Sequence, residues 1–473
     1  MMRPIELTLL ILTMTAAGLF LLPKITARLK FQVMPLVLVL AAAAQVGLEG
    51  FRWQLWPLMI AVLLLLVAAG LQLSRGQKAK KPLSWVIVSL ILAVISLAAG
   101  WLLPVPEPFP ITGPYQVGTT VLPLKDTSRK EIYSPDPNDP REIMVQVWYP
   151  ASPTKADERA LWMPDIDTAA PALAGWYDLP SFVLNHFEYF KGNAYLDAPL
   201  YPDGEEWPIL IFSHGWSGFK EQNIYQVEEL ASQGYLVVGI NHTYGAIQTS
   251  FPDGRQMLRN DAALPEGVSQ EEYDLASNRL VRQWAEDIAF VLDEFAQRDQ
   301  AVGEWPFSGR VDFSKVGVFG HSTGGGATAE FCGTDARCKA ALVMDLWVEP
   351  VSSSVVAAGL SQPFLLMHSA DWVDLEEPSP NFLRIGQLLS ASSGETVEFR
   401  VEGTMHRDFS VLPMLTPLSR LLGLQGSIDG DRCLSLINYY TVAFFDQYLR
   451  ELDRGLLLPE NAPYPEAQFA LRP

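Results

Sequence analysis

The residues with the clearest chemical promise are Gly320-His321-Ser322-Thr323-Gly324. An apolar run of strand length, Val316–Phe319, precedes them, and the small residues Gly325, Gly326 and Ala327 follow in the manner of a helix start. A G-x-S-x-G pattern alone is weak. Between a strand and a helix it describes a sharp turn that presents a serine hydroxyl at the top of a sheet. Glycine suits the positions two before and two after the serine, because a side chain at either would crowd so tight a bend. A serine hydroxyl is a poor nucleophile at neutral pH and needs an adjacent base, so the chemistry indicated is acyl transfer through a serine ester.

Six histidines are available as that base. With a nucleophile on a strand-to-helix turn, the base follows late in the chain, after the last strand. His406 meets this, since Val397–Val401 reads as a strand and Glu402-Gly403-Thr404-Met405-His406 as the loop after it. His321 lies inside the nucleophile turn, His214 belongs to another loop, and His368 ends an earlier strand. His186 and His242 read as packing or cap residues, although His242 follows a strand end and could line a pocket. The acid that orients the imidazole and stabilises the imidazolium has two candidates. Asp345 ends the strand Ala341–Met344, and Asp371 follows the strand Phe364–Met367; topology alone favours Asp371. The developing oxyanion calls for backbone N–H donors. Thr323 is expected to supply one. The other is expected from Trp216 in Phe212-Ser213-His214-Gly215-Trp216, with Gly215 as the alternative.

The elements that must position these residues alternate between strand and helix. Apolar runs of strand length recur at Ile143–Tyr149, Pro208–Phe212 and Leu236–Ile240, before those already named. Helical patterns lie at Gln226–Ser232, Glu271–Phe295 and Asn438–Leu449. The longest of these carries Leu275, Leu280, Trp284, Ile288 and Leu292 on a rough 3.6-residue period. Near-continuously apolar strands alternating with helices predict an α/β fold, a mostly parallel sheet with helices on both faces. An aromatic-rich insertion, 153–206, reads equally as a cover on the sheet edge or as a cap over the site. A proline-rich stretch, 104–114, reads as a linker.

Ahead of it, residues 1–104 differ in composition from the rest. The whole chain of 473 residues carries −19, is 49% hydrophobic and only 18% charged, against about 25% charged in soluble domains. Residues 1–104 hold nine Lys/Arg and two acids, a net of +7, whereas 105–473 holds 25 and 51, a net of −26. The acidic balance argues against nucleic-acid binding. Four uncharged apolar runs, 7–22, 31–48, 53–73 and 83–103, have the length and all-round apolarity of membrane spans. Lys24, Arg28 and Lys30 lie between the first two runs, and Arg75, Lys78, Lys80 and Lys81 between the last two. Positive loops stay cytoplasmic, so the expected arrangement is a multi-pass cell-membrane anchor with an extracytoplasmic domain at 105–473. The compartment is then oxidising. Of the three cysteines, Cys332 and Cys338 are spaced to bridge a helix-to-strand turn, which leaves Cys433 free.

Seven segments in order resemble the platelet-activating factor acetylhydrolase family of type II phospholipases within the α/β-hydrolases. Thr112–Gly118 looks like its opening strand, Val145–Pro150 like its second, and Pro208–Gly215 like its oxyanion loop. Leu230–Tyr235 is similar to the helix and strand that follow, and Gly320–Gly325 to its nucleophile turn. Ala341–Trp347 resembles the strand ending in its acid, and Gly403–Phe409 its histidine loop. The resemblance moves the expected acid from Asp371 to Asp345. It implies calcium-independent hydrolysis of short or oxidised acyl esters of phospholipids by a Ser322–His406–Asp345 triad, without metal or organic cofactor. Thr323 stands where the family has an aromatic residue and Trp216 where it has an aliphatic one, which reshapes the acyl pocket. The four-span front lies outside the resemblance. The alternatives are a general extracytoplasmic carboxylesterase of the dienelactone-hydrolase type and a catalytically idle membrane sensor or scaffold.

Overall fold

The computed structural model describes residues 2–22, 28–75, 83–203, 206–301, 305–373 and 376–469. Lys24, Lys78, Lys80 and Lys81, on which the expected orientation partly rests, lie outside these. The chain divides into two compact units. One comprises Met1–Pro106, Ala174–Phe190 and Met414–Leu418; the other comprises Glu107–Leu173, Lys191–Pro413 and Ser419–Pro473.

The first unit holds helices α1 (Pro4–Leu21), α2 (Met34–Glu49), α3 (Trp56–Arg75) and α4 (Leu83–Leu102). Four spans among the described residues, Pro4–Leu21, Leu29–Glu49, Trp53–Ser74 and Leu83–Leu102, are long and apolar enough to cross a membrane. Small residues such as Ala16, Ala61, Ala68 and Ala93 face inward, while Leu40 and Leu63 face outward. This is the arrangement expected when helices approach closely and the solvent outside is itself apolar. Helix α1 starts three residues before the uncharged run, so Glu6 falls inside it. The Glu6 carboxylate is buried and paired with Arg52 at 2.6 Å and Arg3 at 2.7 Å. Such pairing is what makes a buried charge tolerable. Part of the insertion belongs here: the Trp53 indole donates to the Val183 carbonyl, and the Tyr189 hydroxyl to that of Phe51.

The second unit is built on an eleven-stranded sheet. Its parallel centre runs, in spatial order, β12 (Thr396–Val401), β11 (Phe364–Ser369), β10 (Cys338–Met344), β9 (Val311–His321), β5 (Trp207–Ser213) and β6 (Leu236–Asn241). Beyond β6 come β2 (Pro140–Ala151), β1 (Gln116–Lys130), β4 (Lys191–Leu196) and β3 (Arg159–Leu161), and β13 (Ala467–Phe469) closes the other edge. Strands β3 and β4 are insertion residues, so that much of the insertion extends the sheet. The central strands are apolar throughout because both faces are covered; Ile209, Leu210, Ile211 and Phe212 are all fully buried. Helix α7 (Gln270–Gln300) starts on a Ser269/Glu272 capping box and packs with α8 (Thr323–Thr334); α6 (Ile224–Ser232) packs with α11 (Gly430–Arg450). On α7, Leu280, Trp284, Ile288 and Leu292 are buried, but Leu275 is 62% exposed, because the stripe starts one turn later than the periodicity suggests. Cys332 and Cys338 form a disulfide across the α8–β10 turn, with Cα atoms 5.2 Å apart, and Cys433 is a buried free thiol.

Candidate active site

The singled-out residues leave the carboxyl ends of neighbouring parallel strands. His214 and Trp216 follow β5, Ser322 follows β9, Asp345 follows β10, Asp371 follows β11, and His406 follows β12. From β5 the chain winds to β6 on one side and later returns to β9 on the other. Such a reversal of strand order opens a crevice at the strand ends.

Ser322 has φ 56° and ψ −118°, a conformation that side chains rarely adopt. It is held there by its N–H to the Met344 carbonyl at 2.9 Å and by the Gly326 N–H to its own carbonyl at 3.1 Å. The flanking glycines are obligatory. A Cβ on Gly320 would lie 2.4 Å from the Gly324 carbonyl oxygen, and one on Gly324 would lie 2.1 Å from that of Ser213. The same closeness presses the nucleophile turn against the loop after β5.

The two acids contact different parts of one histidine. Oδ2 of buried Asp345 lies 2.8 Å from Nδ1 of His406. Its Oδ1 accepts the Ser369 N–H at 2.6 Å, and the Ser369 hydroxyl lies 2.5 Å from Oδ2. Asp371 accepts the backbone N–H of His406 at 2.8 Å. Asp345 therefore meets the ring and Asp371 the main chain. An imidazole whose Nδ1–H is held by a carboxylate offers Nε2 as a base. The His406 ring is flanked by Trp372, stacked at 4.4 Å, and by His321, tilted at 4.4 Å. Among the described residues the Ser322 hydroxyl makes no hydrogen bond. Serine–histidine contacts are often long without substrate.

Of the oxyanion candidates, Gly215 has its N–H engaged by Gln222 Oε1 at 3.1 Å. The N–H groups of Trp216 and Thr323 have no acceptor among the described residues, and Thr323 opens α8, where the first N–H groups have no helical partner.

The remaining histidines are structural in their contacts. His214 Nδ1 donates to the Gly215 carbonyl, and its Nε2 accepts the His242 N–H. Burial and the neighbouring His242 push its pKa well down. His242 does not line a pocket. It is fully buried, 2.9 Å from both Ser213 Oγ and Asp287. Burial pushes the Asp287 carboxyl up, but Arg141, the bond from His242 and Arg129 together hold it well below the carboxylate range. This second serine–histidine–aspartate chain is closed to substrate by its burial. Ligand atoms of His321, Asp345 and His406 lie within 4.8 Å of one another. Both nitrogens of His321 and Nδ1 of His406 are already hydrogen-bonded, which leaves too few donors for a zinc-type site. A cleft of about 960 Å³ beside Tyr115, Trp207 and Arg450 contains none of the nucleophile, base or acid candidates. Gln222, Ser369, Trp372 and Asp287 carry no sequence pattern that marks them. Ser369, next to His368, and Trp372, next to the candidate acid Asp371, sit beside residues already in view.

The sheet, the strained serine and the histidine–carboxylate pair define an α/β-hydrolase of the esterase class. The structure is similar to that of a ferulic acid esterase from Streptomyces cinnamoneus, with a TM-score of 0.63 and 26% identity, covering 77% of this chain and 99% of that one. Residues 107–460 match the family described as platelet-activating factor acetylhydrolase, isoform II, and the chain belongs to that family. The platelet-activating factor acetylhydrolase of Gallus gallus is 22% identical over 72% of this chain and 84% of its own length. That of Cavia porcellus is 25% identical over 71% and 77%. A probable 1-alkyl-2-acetylglycerophosphocholine esterase of Arthroderma benhamiae is 24% identical over 81% and 98%. The expected family and fold are both found.

Proposed function

We propose that this protein is a membrane-anchored serine esterase that removes short or oxidised acyl groups from phospholipids. The observation that carries the reading is the 2.8 Å contact between Asp345 and Nδ1 of His406, at the strand end next to the strained Ser322. In this reading His406 Nε2 takes the Ser322 proton as Oγ attacks the ester carbonyl. The amides of Trp216 and Thr323 stabilise the oxyanion, and Asp345 stabilises the imidazolium. The imidazolium then returns the proton to the leaving alcohol. Water activated by the same nitrogen clears the acyl-enzyme and restores the serine. The relatives' names support a phospholipid ester as substrate. Four spans hold the enzyme at a bilayer, multi-pass in the cell membrane with the acidic domain outside; no metal, organic cofactor or nucleic acid takes part.

A second reading, a general extracytoplasmic carboxylesterase of the dienelactone-hydrolase type, is favoured by the likeness to a ferulic acid esterase over 99% of that chain. The two separate on one experiment. Purified full-length protein is assayed on p-nitrophenyl esters of increasing length, a feruloyl ester and sn-2 acyl phospholipids, with Ser322→Ala as the control. The first reading expects short sn-2 acyl phospholipids to be preferred and Ser322→Ala to lose several orders of magnitude in rate. Preference for the feruloyl ester selects the second. A fluorophosphonate probe that leaves the wild type unlabelled rejects both in favour of an idle scaffold.

A further inference from the structure

The bond from Gly215 to Gln222 starts a chain of hydrogen bonds whose direction follows from one constraint. A backbone N–H can only donate, so the carboxamide atom facing Gly215, at 3.1 Å, is Oε1. The amide nitrogen therefore faces His321, 3.1 Å from its Nδ1, and also donates to Asn223 Oδ1. Since that nitrogen donates, His321 Nδ1 accepts. The ring proton then sits on Nε2, which donates to the main-chain carbonyl of His406 at 3.1 Å. The Val411 N–H closes on the carbonyl of Gln222 itself, at 2.9 Å. Gln222 and His321 are only 7% and 6% exposed. Burial, with His406 beside it, holds the His321 pKa well below its ordinary value, so the chain is not reversed by protonation.

Three loops that carry separate roles in the proposed hydrolysis thus hang on two side chains. The loop after β5 is bonded at Gly215, His321 belongs to the nucleophile turn, and the base is bonded through its own carbonyl. We infer that Gln222 and His321 are positioning residues that lock the oxyanion loop, nucleophile turn and histidine loop into one register and occupy the Gly215 amide, so that Trp216 is the donor from that loop. The inference rests on the esterase reading above.

The test uses full-length protein in detergent, with p-nitrophenyl acetate as substrate and a trifluoromethyl ketone as probe. Such a ketone adds to an activated serine and places a tetrahedral oxyanion in the hole. Gln222→Ala and His321→Ala are each expected to lower kcat about 10- to 100-fold with KM little changed, the scale of a small misplacement of reacting groups. Ketone affinity should fall by the same factor, and Tm should stay within a few degrees. The double variant should lose no more than the worse single one, because one chain is broken either way. Gln222→Met keeps the length of the side chain but loses both the acceptor for Gly215 and the donor to Nδ1. It should behave like the alanine variant, and it carries the test if Gln222→Ala fails to fold. Folded variants with wild-type kcat, losses confined to KM, or strictly additive losses would overturn the inference. A wild type that hydrolyses no ester would instead reject the esterase reading.

Discussion

The Trp372 indole lies face to face with the His406 imidazole, with ring centroids 4.4 Å apart and planes 14° apart. In the proposed mechanism this ring becomes cationic during turnover, and a π face beside it stabilises that cation by about 1–2 kcal/mol where water is displaced. Trp372→Leu is therefore expected to lower kcat about 5- to 30-fold without a matching change in KM, and Trp372→Phe to recover part of the loss. An unchanged kcat in a folded Trp372→Leu variant would show that the stack only fills space.

Asp345 and Asp371 both reach His406, but only one meets its ring. Asp345→Asn keeps the shape and removes the charge that fixes the tautomer, a change that costs on the order of 10⁴-fold in a comparable triad. Asp371→Asn leaves an amide oxygen able to accept the His406 N–H, so its cost should stay within about tenfold. Steady-state kinetics on the two variants decides between them, and the reverse ranking would give the acid's role to Asp371.

These two acids also mark where reading the chain runs out. The apolar strands and α7 are legible because burial on both faces, or on one stripe, imposes a pattern on consecutive residues. The serine turn is legible because its glycines answer to local sterics. Strand β1, by contrast, is fifteen residues long and mixes polar positions with Pro123, because it lies toward the sheet edge and is only half covered. Asp345 and Asp371 follow adjacent strands in equivalent ways, so topology alone favours the wrong one for the ring contact; the family resemblance points to Asp345, and the fold places Asp345 against the ring. An uncharged run as the criterion leaves Glu6, counted among the two acids, outside the first span, whereas its helix starts earlier and the charge is paired with Arg52 from elsewhere in the chain. Gln222 carries no motif, since its role depends on partners 7 and 99 residues away.

Asp408 offers a test through pH. Its Oδ2 accepts the Met405 and Gly426 N–H groups, both at 2.7 Å, while Oδ1 is buried without a partner among the described residues. Burial pushes its pKa from 3.8 up to about 6 against those two bonds, with nearby Asp371 adding to the rise. The folded state therefore favours the protonated form. The stability this contributes is complete below pH 4 and is lost as pH rises through 6. Asp408→Asn stays neutral throughout. Its stability relative to wild type should thus improve between pH 4 and 6.5, by about 3 kcal/mol at most. Denaturation of both proteins in detergent across that range checks it; a flat difference would place the Asp408 pKa near its ordinary value.

The Cys332–Cys338 bridge and the direction of the membrane spans can be tested together. A disulfide persists in an oxidising compartment and is reduced in the cytoplasm. If 105–473 is extracytoplasmic, protein taken from membranes under alkylating, denaturing and non-reducing conditions should show one free thiol, that of the buried Cys433. A reporter active only in the cytoplasm, fused after Pro473, should stay silent, and protease added to intact cells should reach the domain. The bridge closes a loop of only a few residues across the α8–β10 turn, so its removal should cost about 2–3 kcal/mol at most. The double variant Cys332→Ser/Cys338→Ser should therefore fold and keep most of its activity while melting earlier. Three free thiols with an active C-terminal reporter would turn the domain to the cytoplasmic side. Three free thiols with a silent reporter would leave the orientation standing and remove only the bridge.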